Sequence, residues 1–445
     1  MIMPSIPVSV LRYETPFESV RQAVTLANGL AHLPANAKVL IKPNIVFWTR
    51  ATDFPKYGVI TTSRVVEDIV ALLKDHGVAG ITIAEGTIVR DPKDKETARA
   101  AFEGLGYGVL AKRYGVQAVS FWERPYRKVD FGDGMTLNVA EDILDADFVV
   151  NLPVMKTHNQ TMVSLGIKNL KGALDIASRK KCHRMDAENN LHHMVARLAD
   201  PMPPMLTVID GIFTNERGPS FDGKMRRSNL LVASADVLSA DMVGARLLGW
   251  EPKDIPHLAF AAAHRGRPVD GTDIEVLGES VEKLARRHEF DFVYTEDQEE
   301  VLPLPFAQMG MKGLSYRKYD LSMCTYCSGI NGVVLSAIRY AWKGQPFDKV
   351  EVLTGKSMQP TPGMKKTILL GQCIYKANKD HPAIQEMIAV KGCPPKPEEI
   401  VSALHQAGIL VDPKIFENID LLPGFFLSRY EGKPEFDPAF FRVSE

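Results

Sequence analysis

The sequence predicts an α/β fold: a mostly parallel sheet with flanking helices, followed by a smaller C-terminal α/β domain. Three observations carry this. Residues 37–84 read strand, helix, strand, the pattern of a βαβ unit and hence of a parallel sheet. Short apolar runs ending in polar or glycine-containing loops recur at 147–153, 205–210 and 229–233. After a charged stretch, strand and helix patterns resume at 349–354, 366–370 and 397–407.

The chain has 445 residues, enough for two or three domains and a sizeable core. Hydrophobic residues make up 45% and charged residues 24%, as in ordinary globular proteins. The formal net charge is −1, so bulk electrostatics gives no reason to expect nucleic acid or an acidic membrane surface. Five cysteines in this length do not make a disulfide scaffold, and a reducing compartment is expected. The opening Met-Ile-Met-Pro-Ser-Ile-Pro-Val lacks a basic region followed by an apolar core, and no run approaches 18 apolar residues. The expected location is cytoplasmic.

Taken in order, Ala37 to Val46 is a buried strand running into Lys42-Pro43-Asn44. Thr61-Thr62-Ser63 offers a helix cap, Val66, Ile69, Val70 and Leu73 give the apolar stripe, and Gly77 stops it. Ala79 to Ala84 is the next strand, ending in Glu85-Gly86. Residues 96–114 read as helix and Gln117 to Trp122 as strand. Tyr126 to Asn138 reads as a hairpin turning at Gly132-Asp133-Gly134. Asp147 to Pro153 is a buried strand that delivers Lys156-Thr157-His158. Glu188 to Leu198 reads as a helix carrying His192 and His193. Met205 to Asp210 and Asn229 to Ala233 are strands, Asp236 to Leu248 a helix, and Ile274 to Gly278 a last strand. Glu282 to Glu300 reads as a linking helix plus a solvated loop.

Four of the five thiols lie in the C-terminal part. Cys324 and Cys327 form a C-x-x-C, Cys373 ends an apolar strand run, and Cys393 precedes Pro394. A C-x-x-C lets two sulfurs converge on one centre, and Cys-Pro is a common last ligand of an iron–sulfur cluster. Val334, Ala337, Ile338 and Ala341 mark a helix beginning near Cys327, whose N-terminal amides suit an anionic thiolate centre. These four cysteines are the expected ligands of one [4Fe–4S] cluster. The alternatives are structural zinc, which usually shows two close pairs; a redox dithiol, which leaves Cys373 and Cys393 without a role; and ordinary buried cysteines. The expected organisation is then an α/β domain over 1–280, a linker at 281–302, a four-cysteine iron–sulfur domain at 303–411 and a tail at 412–445.

A second constellation is basic. Lys42, Lys156, His158, Lys168, Lys171, Lys181, His183 and Arg184 fall in loops after strands or near helix starts. In a parallel sheet several of these converge at the C-terminal edge, where anionic small molecules bind. Lys156, His158, Lys168 and His183 are the candidate catalytic residues; Lys42, Asn44, Asn169 and Lys171 are the candidate substrate-binding residues. Glu85 and Asp210, also at strand ends, are candidate bases or lysine partners. Against this, the run Arg179 to Arg184 also reads as a solvated basic loop, and His192-His193 as structural. Cys182 beside His183 is a weak candidate nucleophile. No phosphate-binding glycine motif and no basic stripe with aromatic platforms is present.

Ile41-Lys42-Pro43-Asn44, Ala84-Glu85-Gly86, Asn151-Leu152-Pro153 through Lys156-Thr157-His158, and Lys168-Asn169-Leu170-Lys171-Gly172 recur in a familiar order. With Asp210-Gly211, Gly218-Pro219, and Ala235-Asp236 through Asp241 to Leu248-Gly249, they resemble the family called Domain of Unknown Function 362, over roughly residues 37–250. Many members of that family are linked to ferredoxin-type iron–sulfur segments, so the resemblance implies a fold and a cofactor without a fixed reaction. The thiols here depart from the compact cysteine run of a bacterial ferredoxin and imply a single-cluster domain. A distant likeness to the nickel-dependent lactate racemase family, through Lys and His at strand ends, is too slight to use.

The expected function is an iron–sulfur oxidoreductase whose cluster exchanges electrons with an anionic small molecule. The alternatives are a non-redox lyase or hydratase with an open iron, and a cluster-bearing electron-transfer subunit of a larger complex. The partners these allow are an anionic substrate, a redox partner protein and a second copy of the chain in a homo-oligomer, with neither nucleic acid nor membrane.

Overall fold

The computed structural model describes residues 5–87, 94–186, 188–295 and 300–444. Two compact units emerge: Met1–Arg179, His192–Phe290 and Pro423–Glu445 form one, and Lys180–Leu191 with Asp291–Leu422 the other. The basic segment after Arg179 therefore groups with the cysteine-bearing half of the chain.

The strands of the first unit are β1 (Ile6–Arg12), β2 (Lys38–Lys42), β3 (Gly80–Glu85), β4 (Gln117–Ser120), β5 (Tyr126–Asp130), β6 (Thr136–Ala140), β7 (Phe148–Asn151), β8 (Val154–His158), β9 (Met162–Ser164), β10 (Met205–Glu216), β11 (Lys224–Ser234) and β12 (Ile274–Gly278). All but the β5–β6 hairpin belong to one sheet of order β12-β1-β11-β10-β7-β2-β3-β4, with β8 beside β10 and β9 beside β8. The half from β10 to β4 is parallel, and β11 is antiparallel to both its neighbours. The mostly parallel α/β class expected from the βαβ pattern is the class observed.

The helix Ser63–Asp75 shows how local sequence builds this unit. Thr62 caps it, accepting the Val65 amide. Val65, Val66, Ile69, Val70, Leu72 and Leu73 are buried on its inner face. Each such aliphatic side chain contributes roughly 1.5–3 kcal/mol of burial.

The structure differs from the sequence reading at several places. The predicted helix over 96–114 is two helices, Glu96–Gly104 and Tyr107–Tyr114, broken where Gly106 takes a left-handed φ of 77°. Lys156, Thr157 and His158 lie within β8 instead of a loop, because β10 runs on for twelve residues and offers β8 a second edge beyond β7. Strands β1 and β9 were not anticipated. The linking helix expected after Glu282 is one turn, Val281–Leu284, and part of that predicted stretch, 296–299, lies outside the described residues.

The second unit holds β13 (Leu314–Tyr316), β14 (Val350–Leu353), β15 (Lys366–Leu370) and β16 (Glu386–Val390), all parallel and side by side in chain order. The 17-residue helix Thr325–Ala341 and the helix Pro397–Gln406 pack on it through Val334, Ile338, Ile400 and Leu404. Among the described residues no helix is long and apolar enough to cross a membrane.

Candidate functional site

In the first unit, Lys42, Glu85 and Asn151 are the last residues of three adjacent parallel strands, β2, β3 and β7. Lys42 is fully buried and its Nζ lies 2.8 Å from Glu85 Oε2. Burial lowers the proton affinity of Lys42 and Glu85 restores part of it. Asn169 lies 3.5 Å from Lys42 through Oδ1, accepts the Asn44 side-chain amide there at 3.0 Å, and donates to Asn151 Oδ1 at 2.9 Å. Asn44 in turn accepts from Lys156 Nζ at 2.6 Å, and Lys156 also donates to the Val59 carbonyl at 2.7 Å. One continuous polar network thus joins Glu85, Lys42, Asn169, Asn44 and Lys156.

Lys156 differs from Lys42 in its partners. Both acceptors it contacts are neutral, and it is 1% exposed. Removal from water brings its pKa down to about 7, with Glu85 opposing the fall. Such an amine can gain or give up a proton near neutrality, as an acid–base group requires.

Glycines close this network. A Cβ on Gly172 would collide with Glu85 Oε1 and stand 2.6 Å from Lys42 Nζ. Arg179, buried, donates to the carbonyls of Gly86 at 2.7 Å, Gly172 at 2.5 Å and Leu174 at 2.9 Å, fixing the loops that cover the ion pair.

Other predicted residues of this unit take structural or peripheral places. Asp210, a candidate base, accepts from the Thr62 amide at 2.7 Å and the Thr62 hydroxyl at 2.8 Å, holding the start of the Ser63–Asp75 helix. Asp241 accepts the Gly166 and Ile167 amides at 2.6 and 2.9 Å, and Asp236 caps the helix Val237–Leu247. Buried His158 accepts the Gln160 amide at Nδ1, so its ring proton sits on Nε2. Lys168 and Lys171 are half-buried on the turn that carries Asn169. Lys168 is near buried His257, whose ring stacks on His192 at 6.1 Å. His183, with Lys181 and Arg184, lies in the second unit.

In the second unit the four predicted cysteines share one edge of the sheet. Cys324 caps the helix that follows β13, and Cys327 lies in its first turn. Cys373 and Cys393 stand just beyond the C-terminal ends of β15 and β16. The Gln372 amide donates to the Gly392 carbonyl at 3.2 Å, tying these two loops together. Gly371 brings its backbone against Cys327: a Cβ there would lie 3.7 Å from the Cys327 sulfur. Cys327 donates to Cys324, and this bond holds the Cys324 thiol below its ordinary range, with the Tyr326 and Cys327 amides adding to it; the same bond pushes Cys327 up. The charges of Cys324 and Cys373 both act on Cys393. Cys324 is buried, Cys327 half-buried, and Cys373 and Cys393 exposed.

No three His, Cys, Asp or Glu side chains among the described residues form a ready-made metal group. The donor chemistry nevertheless fits a soft centre: four thiols at one edge, one of them favoured as thiolate at a helix N-terminus. Cys182 is buried in the same unit.

Sequence reasoning missed Asn151, Arg179 and Lys356. Asn151 had a visible signal, a polar residue closing the apolar run Phe-Val-Val. Arg179 reads in sequence as part of a solvated run, yet its guanidinium is buried on carbonyls. Lys356 follows β14 and carries no sequence signal.

A thylakoid-associated protein of Synechocystis sp. is 30% identical over 225 residues, which is 50% of this chain and 66% of that protein. The lactate racemase apoprotein of Thermoanaerobacterium thermosaccharolyticum is similar at 12% identity and a TM-score of 0.35, over 95% of this chain and 90% of that one. That likeness is too slight to carry an inference. Residues 39–246, which hold the lysine network and the capping aspartates, match the family described as Domain of unknown function (DUF362).

Proposed function

We propose that this chain is an iron–sulfur oxidoreductase in which Cys324, Cys327, Cys373 and Cys393 hold one [4Fe–4S] cluster. The observation that carries this is the arrival of all four thiols at one edge of a four-stranded parallel sheet, from three separate chain segments. Four thiolates suit a cluster with no open iron, and when bound such a cluster supplies one-electron transfer. The residues around it are fitted to that task. The Tyr326 and Cys327 amides favour negative charge on Cys324, and Gly371 leaves room beside Cys327. Exposed Cys373 and Cys393 leave that side open to an electron donor or acceptor.

The electron partner in this reading is an anionic small molecule, with Lys168 and Lys171 as its contacts. Lys42, Asn44 and Asn169 orient the turn that bears them. Lys156 and His158 are the proton-handling groups, Lys156 because its buried amine titrates near neutrality. His183, its ring 3.2 Å from the Leu321 carbonyl, is read as a group that serves the thiol site.

Anaerobic purification with iron and sulfide analysis and EPR before and after dithionite tests this. The expected result is about four irons and four sulfides per chain, lost in each Cys→Ser variant at 324, 327, 373 and 393. Iron retained in Cys393→Ser would turn the reading to a three-cysteine centre with an open iron. Zinc without sulfide would overturn it.

A further inference from the structure

The segment Lys180–Leu191 leaves the strand order of the first unit and belongs to the second. Within the second unit it brings charge to the cysteines. Lys180 places its ammonium 4.3 Å from the ring centre of Tyr326, one of the two residues between Cys324 and Cys327 in the C-x-x-C. Lys356, just after β14, is fixed by two bonds: its ammonium donates to the His183 carbonyl, and its amide donates to Ser322 Oγ at 2.8 Å. His183 is itself held, its Nδ1 3.2 Å from the Leu321 carbonyl. Lys356 directly follows Gly355, whose backbone amide bonds the Cys327 sulfur. The carboxylate of this loop, Asp320, is taken up by the hydroxyls of Ser322 and Ser357.

We infer that Lys180 and Lys356 are a built-in cation pair that tunes the thiol site, offsetting the negative charge of a four-thiolate centre and making its one-electron reduction easier. This rests on the cluster reading proposed above. The physical ground is simple. A [4Fe–4S] centre with four thiolates is anionic, and reduction adds one more negative charge. A fixed cation nearby stabilises the reduced state more than the oxidised one, so it raises the potential. Lysines whose ammonium groups are held by a carbonyl and an aromatic face keep that charge in place, which a free surface lysine does not. They are positioning residues, since neither touches a reacting atom.

The test is a redox titration followed by EPR on the full chain, with dithionite as electron source, on Lys180→Gln, Lys356→Gln and the double variant. Lys180→Arg and the surface variant Lys365→Gln serve as controls. Each Gln variant is expected to keep wild-type iron and sulfide content while its midpoint potential moves to a more negative value. The double variant should move furthest, and both controls should stay at the wild-type value. Unchanged potentials in loaded Gln variants would overturn the inference and leave the cluster standing. Loss of iron in the Gln variants would overturn it in favour of a structural role. A wild-type protein without iron and sulfide would remove the cluster and the inference together.

Discussion

The two units place polar residues at the same kind of location and treat them in opposite ways. In the first, Lys42, Glu85 and Asn151 end parallel strands and are buried, each with a protein partner. In the second, Cys373 and Cys393 follow parallel strands and are exposed, with Lys180 and Lys356 close by. A strand end in a parallel sheet gathers side chains from several loops in either case. Burial then decides what they do. A network that satisfies itself fixes backbone and sets proton affinities, whereas a set of exposed thiols keeps its bonding capacity for a ligand. Changes in the first unit should therefore register in stability and protonation, and, on the cluster reading proposed above, changes at the thiols in metal content.

The sharpest way to break this contrast is to strip Lys42 of its partner. Glu85→Leu leaves a buried ammonium that keeps only weak contacts to Pro43 O at 3.3 Å and Asn169 Oδ1 at 3.5 Å. Breaking a buried pair in this way costs about 3–5 kcal/mol. Urea denaturation should show that loss, and the double variant Lys42→Met, Glu85→Leu should recover much of it because no charge is left unmatched. Iron per folded chain should stay at the wild-type value in both. A loss of iron equal to the loss in the cysteine variants would collapse the distinction between the two units.

Much of this contrast was legible in the sequence. Lys42-Pro43-Asn44 and Glu85-Gly86 stand at the ends of apolar runs, so their place at a sheet edge follows from periodicity and the βαβ rule. The C-x-x-C before a helical stripe likewise predicts a helix beginning near Cys327, and the helix begins slightly earlier, at Thr325. Glu85 reads as a candidate lysine partner, and that holds; what could not be read was burial and which lysine it meets. A lysine in sequence looks the same whether it meets water or a carboxylate. Lys42 therefore reads as a ligand-binding cation, while in the fold it is matched to Glu85 across strands that are distant in sequence. Asp210 and Asp241 read as catalytic or family signatures, while in the fold they accept amides at helix starts. Cap pairings between remote segments leave no mark in composition or spacing. The unit change after Arg179 is also silent, because nothing in Arg-Lys-Lys-Cys-His-Arg says which core it will join.

Lys156 sharpens the comparison through pH. Its pKa of about 7 in the fold compares with 10.5 when unfolded and solvated. Between those values the unfolded chain holds one more proton than the native one, so this residue makes stability rise as pH increases from 7 to 10.5. The slope it adds is at most about 1.4 kcal/mol per pH unit. Below pH 7 both states are protonated and the slope vanishes. In Lys156→Met this rise should disappear from a series of denaturation curves over that range, while the cysteine variants keep it. A slope unchanged by Lys156→Met would mean that the amine stays charged on Asn44 and the Val59 carbonyl, and its assignment as a proton-handling group would fall.

Gly172 gives the smallest effect and the finest distinction. Its φ is not left-handed, so alanine is allowed by the backbone, and only the neighbours oppose it. Those neighbours are Glu85 Oε1 and the Lys42 ammonium, the two ends of the buried pair. They cannot swing away without breaking their 2.8 Å contact, and Arg179 holds the Gly172 carbonyl at 2.5 Å so the loop cannot lift freely. Overpacking of this kind costs about 1–3 kcal/mol. Gly371 stands in the corresponding place beside Cys327. There the φ of 113° makes any side chain strained, but the nearest atom lies at 3.7 Å. Gly172→Ala should thus lower stability and leave iron in place. On the cluster reading proposed above, Gly371→Ala should lower iron content, because its methyl would occupy the space beside the Cys327 sulfur. Equal effects of the two substitutions on both readouts would show that the glycines serve only the packing of their loops, and that the thiol edge is no more open to a ligand than the lysine network.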